Sequence, residues 1–330
     1  MTTHVPRLTV LLPVYNGEKW LRAALDSVLS QSMTDIEVLA FNDGSSDSSG
    51  SILDSYRDAR LRVIHQENAG LAITLNRGVQ LAQAPLIARQ DADDVSLPER
   101  FRRQCDWMDA HPEYVLIGGR SRILEGDRET TRGHAHPESN AQLQLFGLFD
   151  SYFVHSAVMF RRHAAVAAGN YPVDAQRNPP EDFDLWSRMA MQGRLANLHE
   201  EVLLYREVPN SISRAKAELI SARGRSIAIE NVCRALHIEA NGVVADLVAV
   251  MRIEPQHLSA APSWPEMHVL AQGLLQSMSA RFPDEVAELR QAHDQLMRRL
   301  SRMRLQLHPA AGPLLKGALR AARLIRRIVK

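Results

Sequence analysis

The sequence predicts an α/β fold: a mostly parallel sheet flanked by helices, followed by a helical C-terminal extension. Three observations carry this expectation. Short apolar runs alternate with helix-spaced segments through residue 94, and the runs end in turn-forming or acidic residues. Past about residue 211 strand signals stop, and apolar residues recur at intervals of three and four. With 330 residues, 45% hydrophobic and 23% charged, the chain can bury a sizeable core, and wholesale disorder is excluded.

The elements follow in order. Residues 8–12 (LTVLL) form a continuous apolar run ended by Pro13, the pattern of a buried parallel strand. Trp20, Leu21, Ala24, Leu25, Val28 and Leu29 then repeat at helical spacing. Residues 36–41 read as a strand stopped by Asn42-Asp43-Gly44-Ser45, with a helix around 47–57. A third strand at 61–65 precedes a helix at 71–83, and a fourth at 86–89 ends at Asp91-Ala92-Asp93-Asp94. Further strands are expected at 115–119, 157–160 and 201–206, and a helix at 181–192. The regions 211–252 and 266–305 read as helical, separated by the Pro-bearing stretch 255–265. This divides the chain into an α/β domain at 1–213, a helical region at 214–308 and a terminal segment at 309–330.

Charge is distributed unevenly. The formal net charge is +1, yet no acid follows Asp294, while ten Lys or Arg do. Before that point 29 basic residues face 38 acidic ones, a net of −9. Within 309–330, Leu315, Leu319, Ala322, Ile325 and Val329 share a face, and the basic residues lie mainly on others. Such a helix suits an anionic membrane surface, at about 1 kcal/mol per basic residue near the surface. It could equally pack on its own domain with a solvated basic side. It lacks the interleaved aromatics of a nucleic-acid binder, so no nucleic-acid partner is expected. No apolar stretch is long enough to span a bilayer, and the N-terminus lacks the pattern of a signal peptide. Cys105 and Cys233 lie far apart and suggest neither a disulfide framework nor a metal site. Together these place the protein in the cytoplasm, peripheral on the inner face of the membrane.

Chemistry is concentrated where strands end, because open α/β sheets bind ligands in the crevice beyond their strands' carboxyl ends. Asp91-x-Asp93 occupies such a place. The spacing alone is weak: with 19 Asp, two D-x-D occur, here and at Asp182-x-Asp184. Clustered carboxylates repel unless a cation or donors compensate, and Mg²⁺ or Mn²⁺ suits one or two carboxylates plus phosphate oxygens. Asp94 or Ser96 could also cap a helix beginning near Pro98, and both uses can hold at once, with Asp93 on metal and Ser96 capping. Asp43 is either a turn residue or an acceptor for a base or ribose, and Tyr15 could stack on a base.

The runs VLLPVYNGEKWLRAALDSVLSQ, FNDGSSD, ENAGLAITLNRG and ARQDADDVSLPERF, in this order and spacing, resemble the inverting family 2 glycosyltransferases. HSAVMFRR, GNYP and PPEDFDLWSRM resemble the same family's acceptor-side blocks, so the likeness covers about 5–213. It implies the GT-A fold, a Rossmann-like mostly parallel sheet. It implies a nucleoside diphosphate sugar donor, with UDP the expected nucleotide, Mn²⁺ or Mg²⁺ as cofactor, and a glycan or lipid-linked acceptor in polysaccharide biosynthesis. By the same likeness, Pro13, Tyr15, Asn16 and Glu18 contact the nucleotide and Asp43 the base. Asn68, Gly70, Asn76 and Arg77 line the nucleotide and diphosphate. Asp91 lies towards the ribose, Asp93 on the metal, and Asp182 is the general base. Glu181, Trp186 and His155 fall on the acceptor side, with core packing the other reading for Trp186.

Departures from the pattern matter. Asn42 stands where many relatives carry Asp. No His lies near Val208, where relatives use one on metal or diphosphate; Arg206 or Arg214 are the available cations. Other classes fit less well. The turn after the first strand, P-V-Y-N-G-E, lacks the glycines of a dinucleotide-binding loop and the basic Gly-rich loop of a nucleotidyltransferase. A catalytically silent sugar-nucleotide-binding or scaffolding protein is the remaining alternative; Asp93 and Asp182 argue against it.

Overall fold

The computed structural model describes residues 4–208 and 215–307. The terminal segment 309–330 and Arg214 lie outside the described residues. The chain divides into two compact units: 1–139 with 152–220, and 140–151 with 221–330.

The first unit is built on a nine-stranded sheet of order β3-β2-β1-β4-β8-β6-β9-β5, with β7 paired to β6. Its left half is parallel: β1 (Leu8–Val14), β2 (Ile36–Asp43), β3 (Leu61–Gln66) and β4 (Leu86–Arg89). All seven residues of β1 are buried, as expected of a central strand covered on both faces. The crossovers are α1 (Leu21–Leu29), α2 (Ser49–Asp54) and α3 (Leu71–Leu81). α1 buries Leu21, Ala24, Leu25 and Val28 against Leu8, Val10, Leu12 and Ala88 of the sheet. Because β1 has β2 on one side and β4 on the other, the chain reverses direction across the sheet at β1. That reversal opens the crevice above the ends of β1 and β4.

The right half is mixed. It comprises β5 (Val95–Ser96), β6 (Tyr114–Glu125), β7 (Arg128–His134), β8 (Met159–Arg161) and β9 (Arg194–Arg206). β8 runs antiparallel between β4 and β6, while β9 is parallel to β6. α4 (Arg100–Ala110), α6 (Arg162–Ala167) and α7 (Glu181–Met189) complete the unit. β9 begins at Arg194, before the expected 201, and register shifts at Gly119–Ser121 break its alternation. β7 is polar and largely exposed, so it carries no apolar signature.

The second unit is helical: α5 (Asn140–Phe146), α8 (Ala217–Leu236), α9 (Gly242–Met251), α10 (Trp264–Arg281) and α11 (Val286–Leu307). Both expected helical regions divide in two. The first breaks at His237–Asn241, where the Asn241 side chain accepts hydrogen bonds from the Val243 and Val244 N–H at 3.0 Å. The second breaks at Phe282-Pro283, since Pro283 has no N–H to continue α10. Leu143, Ile227, Leu247, Met267, Leu274, Leu289 and Leu296 form the interior of this unit.

Candidate active site

The nucleotide side is assembled from three strand-end loops. Asn16 adopts a left-handed backbone (φ 51°), which aims its amide oxygen at the Ser46 N–H, 2.8 Å away. Glu18 accepts from the Ser48 N–H at 2.9 Å, and the Gly17 N–H donates to the Ser49 hydroxyl. These bonds tie the loop after β1 to the turn after β2. Asp43 in turn holds the loop after β3. One carboxylate oxygen accepts from the Gln66 amide (2.7 Å) and the Ala69 N–H (2.9 Å), the other from the Gly70 N–H (3.0 Å). Gly44 makes the approach possible: at φ +72°, a Cβ there would lie 2.6 Å from the Asn68 nitrogen. Arg77 donates to Gln66, and Asn76 exchanges two hydrogen bonds with the Tyr171 backbone. Pro13 is buried within β1, Tyr15 is 58% exposed, and Asn68 is exposed. Several of the expected donor residues therefore shape the crevice through backbone hydrogen bonds.

The loop after β4 brings Asp91, Asp93 and Asp94 together, each offering one carboxylate oxygen within 4.8 Å of the others. Burial, then the charge of Asp91, pushes Asp93 up to about 6. Asp94 is raised well above the usual carboxylate range, by burial first and by Asp91 and Asp93 after it. Asp94 faces inward, accepting hydrogen bonds from the Ser156 hydroxyl and from the Arg206 N–H at 2.7 Å. Asp91 pairs with Arg89. The capping reading of this loop fails. α4 starts at Arg100 without a side-chain cap, and the Ser96 hydroxyl donates instead to Gln90 at 2.6 Å. Gln90, Ser96 and the buried Arg100 form a network that fixes the loop from below. An all-oxygen set whose members raise one another's proton affinity fits a hard divalent cation, with Asp93 and Asp91 as the half-buried ligand candidates.

The residues expected on the acceptor side lie on α7 and on the segment before β8. Glu181, Asp182 and Asp184 occupy the first turn of α7, where the helix dipole favours negative charge. They separate by environment. Asp184 is 2% exposed and is held by Arg177 (2.6 Å) and Arg188 (2.6 and 2.9 Å). Arg188 also donates to the Asn170 carbonyl, so Asp184 serves the fold. Asp182 is only half-buried. Burial, then Asp182, pushes Glu181 up to about 7. His155 lies 3.1 Å from the Tyr171 hydroxyl through Nε2 and 3.9 Å from Glu181 through Nδ1. Burial, then Arg89, keeps its imidazole well below the usual range. Trp186 is 3% exposed and packs against His155, Phe160 and Tyr171, the packing alternative of the two foreseen for it. The Ser156 hydroxyl bonds Asp94 while its neighbour His155 lies 3.9 Å from Glu181, so one short segment joins the acid loop to the start of α7.

Arg206 is not a free replacement for the absent histidine. Its guanidinium stacks on Trp20 at 3.8 Å, donates to the Asp93 carbonyl at 2.8 Å, and bonds the Gly126 carbonyl. It buttresses the acid loop from behind. Sequence reasoning also passed over Arg89, Ser156 and Tyr171. Only Arg89 left a signal: a charge at the end of an otherwise apolar strand, one residue from the acid loop.

Comparison with known proteins identifies the family and the fold. Residues 9–167 match the family described as "Glycosyl transferase family 2". The chain is 31% identical over 215 residues to AmsE of Erwinia amylovora, an amylovoran biosynthesis glycosyltransferase, covering 63% of this chain and 79% of AmsE. The chain belongs to glycosyltransferase family 2, and it is a glycosyltransferase. WbnJ of Escherichia coli, an O-antigen biosynthesis glycosyltransferase, is 28% identical over 205 residues, covering 60% of this chain and 79% of WbnJ. Among solved structures, S. aureus TarS 1–349 in complex with UDP-GlcNAc aligns over 90% of both chains with TM-score 0.57 at 15% identity. The mannosyltransferase PcManGT from Pyrobaculum calidifontis, in complex with GDP-Man and Mn²⁺, aligns over 89% of this chain and 87% of its own with TM-score 0.54 at 16% identity. The architecture is the GT-A fold.

Proposed function

We propose that this glycosyltransferase transfers a sugar, with inversion, from a nucleoside diphosphate sugar to a hydroxyl of a glycan or lipid-linked acceptor in polysaccharide biosynthesis. The observation that carries the reading is that, within one unit, the His155–Ser156 segment joins the Asp91–Asp93–Asp94 cluster to the acidic start of α7. The names of AmsE and WbnJ support the polysaccharide setting, and the ligands of TarS and PcManGT support a nucleotide-sugar donor. UDP is the expected nucleotide.

In this reading Asp43, Asn68, Gly70 and Arg77 frame the base and diphosphate, with Pro13, Tyr15, Asn16 and Glu18 on the opposite wall. Asp91 turns towards the ribose and Asp93 would hold Mn²⁺ or Mg²⁺. The ion, when bound, neutralises charge developing on the diphosphate leaving group. Asp182 takes the proton of the acceptor hydroxyl as the new C–O bond forms. Attack from the face opposite the diphosphate inverts the anomeric carbon, so no second catalytic carboxylate is needed. The buried Glu181, with His155 3.9 Å from it, would shape the acceptor side. The basic segment 309–330 docks the enzyme on an anionic membrane surface at the inner face of the cell membrane, where a lipid-linked acceptor would be found.

The test compares wild type with Asp182→Asn. The variant is expected to bind donor with wild-type affinity and to lose transfer by about 10²-fold or more. Transfer at the wild-type rate would remove Asp182 as the base.

A further inference from the structure

The last residues of β2 and β3 lie side by side in the parallel register, Asp43 beside Gln66. Partners in register point to the same face of a sheet. One residue back, Asn42 and His65 point to the other face, where His65 reaches Asp54 of α2 at 3.0 Å. Gln66 instead reaches α3. Its Nε2 donates to Asp43 Oδ1 at 2.7 Å and to the buried Thr74 hydroxyl at 2.8 Å, and its Oε1 accepts from Arg77 at 2.7 Å. Thr74 and Arg77, three residues apart, share one side of α3.

The chemistry of these side chains fixes which way the amide points. An ionised carboxylate only accepts hydrogen bonds and a guanidinium only donates them, so a group between them must donate to one and accept from the other. An amide does both. Each of these two bonds has a charged partner, which makes it stronger than a bond between neutral groups. The two ends remain open on their far sides. Asp43 Oδ1 is taken by Gln66 and the Ala69 N–H, while among the described residues Oδ2 accepts only from the Gly70 N–H, so it keeps room for one more donor. Arg77 is exposed, and Gln66 is the acceptor it bonds among the described residues. The rest of its planar fork suits phosphate oxygens.

We propose that Gln66 is a positioning residue for the donor: its amide locks the Asp43 carboxylate, which meets the base, and the Arg77 guanidinium, which meets the diphosphate, into one unit. The inference rests on the reading of Asp43 and Arg77 given above. One side chain thereby sets both contacts, so base recognition and diphosphate binding are coupled through it. A base with a ring N–H, as in uracil and guanine, matches the open Asp43 oxygen. Cytosine and adenine present a bare ring nitrogen instead.

The experiment uses the full chain as wild type, Gln66→Met and Gln66→Glu, each checked for a folded melting transition. Binding of UDP, GDP, CDP, ADP, UMP and GMP with Mn²⁺ is measured by calorimetry at about pH 8, above the ordinary carboxylate range. Two ratios are read: the preference for a base with a ring N–H (UDP over CDP, GDP over ADP), and the preference for diphosphate over monophosphate. Gln66→Met neither donates nor accepts at this point, and is expected to weaken the preferred diphosphate about tenfold and to lower both ratios. Gln66→Glu is expected to lower the base ratio and keep the phosphate ratio, because a second carboxylate still accepts from Arg77 but repels Asp43. A joint that only supports the fold would weaken all six nucleotides alike. Folded variants with both ratios at wild-type values would therefore overturn the proposal. Where one variant does not fold, the ratios of the other decide. If wild type binds no nucleotide, or binds all bases alike, the reading of Asp43 fails and the proposal with it; if wild type discriminates and the variants match it, the proposal alone fails.

Discussion

Two aspartates on the first turn of α7 differ in burial, and opposite roles are proposed for them: Asp184 is buried and Asp182 half-buried. Asp184 is buried between Arg177 and Arg188, so Asp184→Asn should remove the carboxylate that both guanidiniums share and destabilise the fold by about 3 kcal/mol. Asp182→Asn should leave the melting midpoint near that of wild type while removing transfer. Thermal melts and rates on the same two variants check both. Glu181 adds a pH dependence. Its folded pKa, about 7, is raised above its ordinary value of 4.5, so the folded state binds more protons than the unfolded one between those values. Its contribution to stability is fully present below about pH 4.5 and is lost as pH rises through about 7. In metal-free protein, Glu181→Gln should flatten that decline in a pH series of melting midpoints. The paired roles of Asp184 were not legible in the sequence, since Asp182-x-Asp184 looks the same as Asp91-x-Asp93 until the arginines are placed around it.

At the scale of elements, the parallel half of the sheet was readable because both its faces are covered. β1, β2, β3 and β4 are unbroken apolar runs with turn or acidic residues at their ends. The other half hid for physical reasons. β7 is polar on both faces, β5 has only two residues, and the register shifts between β6 and β9 remove a clean alternation. The breaks within 211–252 and 266–305 were not expected; Asn241 and Pro283 make them through local chemistry, a side-chain cap and a missing donor. Asn241→Ala should therefore cost about 1 kcal/mol, read as a lowered midpoint in urea without a change in activity. The site was legible as residue types at strand ends. Its support was less so, because Asp43, Asn76 and Arg206 act through backbone partners distant in sequence.

For the whole molecule, the separation of charge is the leading feature: a net of −9 before residue 295 and ten basic residues after it. An acidic body is repelled by an anionic surface, so the basic end is the part able to approach one. Deleting 309–330 should abolish co-sedimentation with anionic liposomes at low salt and leave donor binding intact. Retained co-sedimentation would remove the segment's role. The proposed donor crevice lies in the first unit, and the central claim concerns how that crevice is charged. The most direct test is the melting midpoint of wild type and Asp93→Ala with nucleoside diphosphate sugars, in Mn²⁺ or Mg²⁺ and in chelator. Ligand that binds only the folded state raises the midpoint. At least one donor should stabilise wild type only with metal, and Asp93→Ala should lose that increment while keeping its ligand-free midpoint. Equal stabilisation of both proteins, or stabilisation of wild type that survives the chelator, would contradict the assignment of Asp93 to the metal.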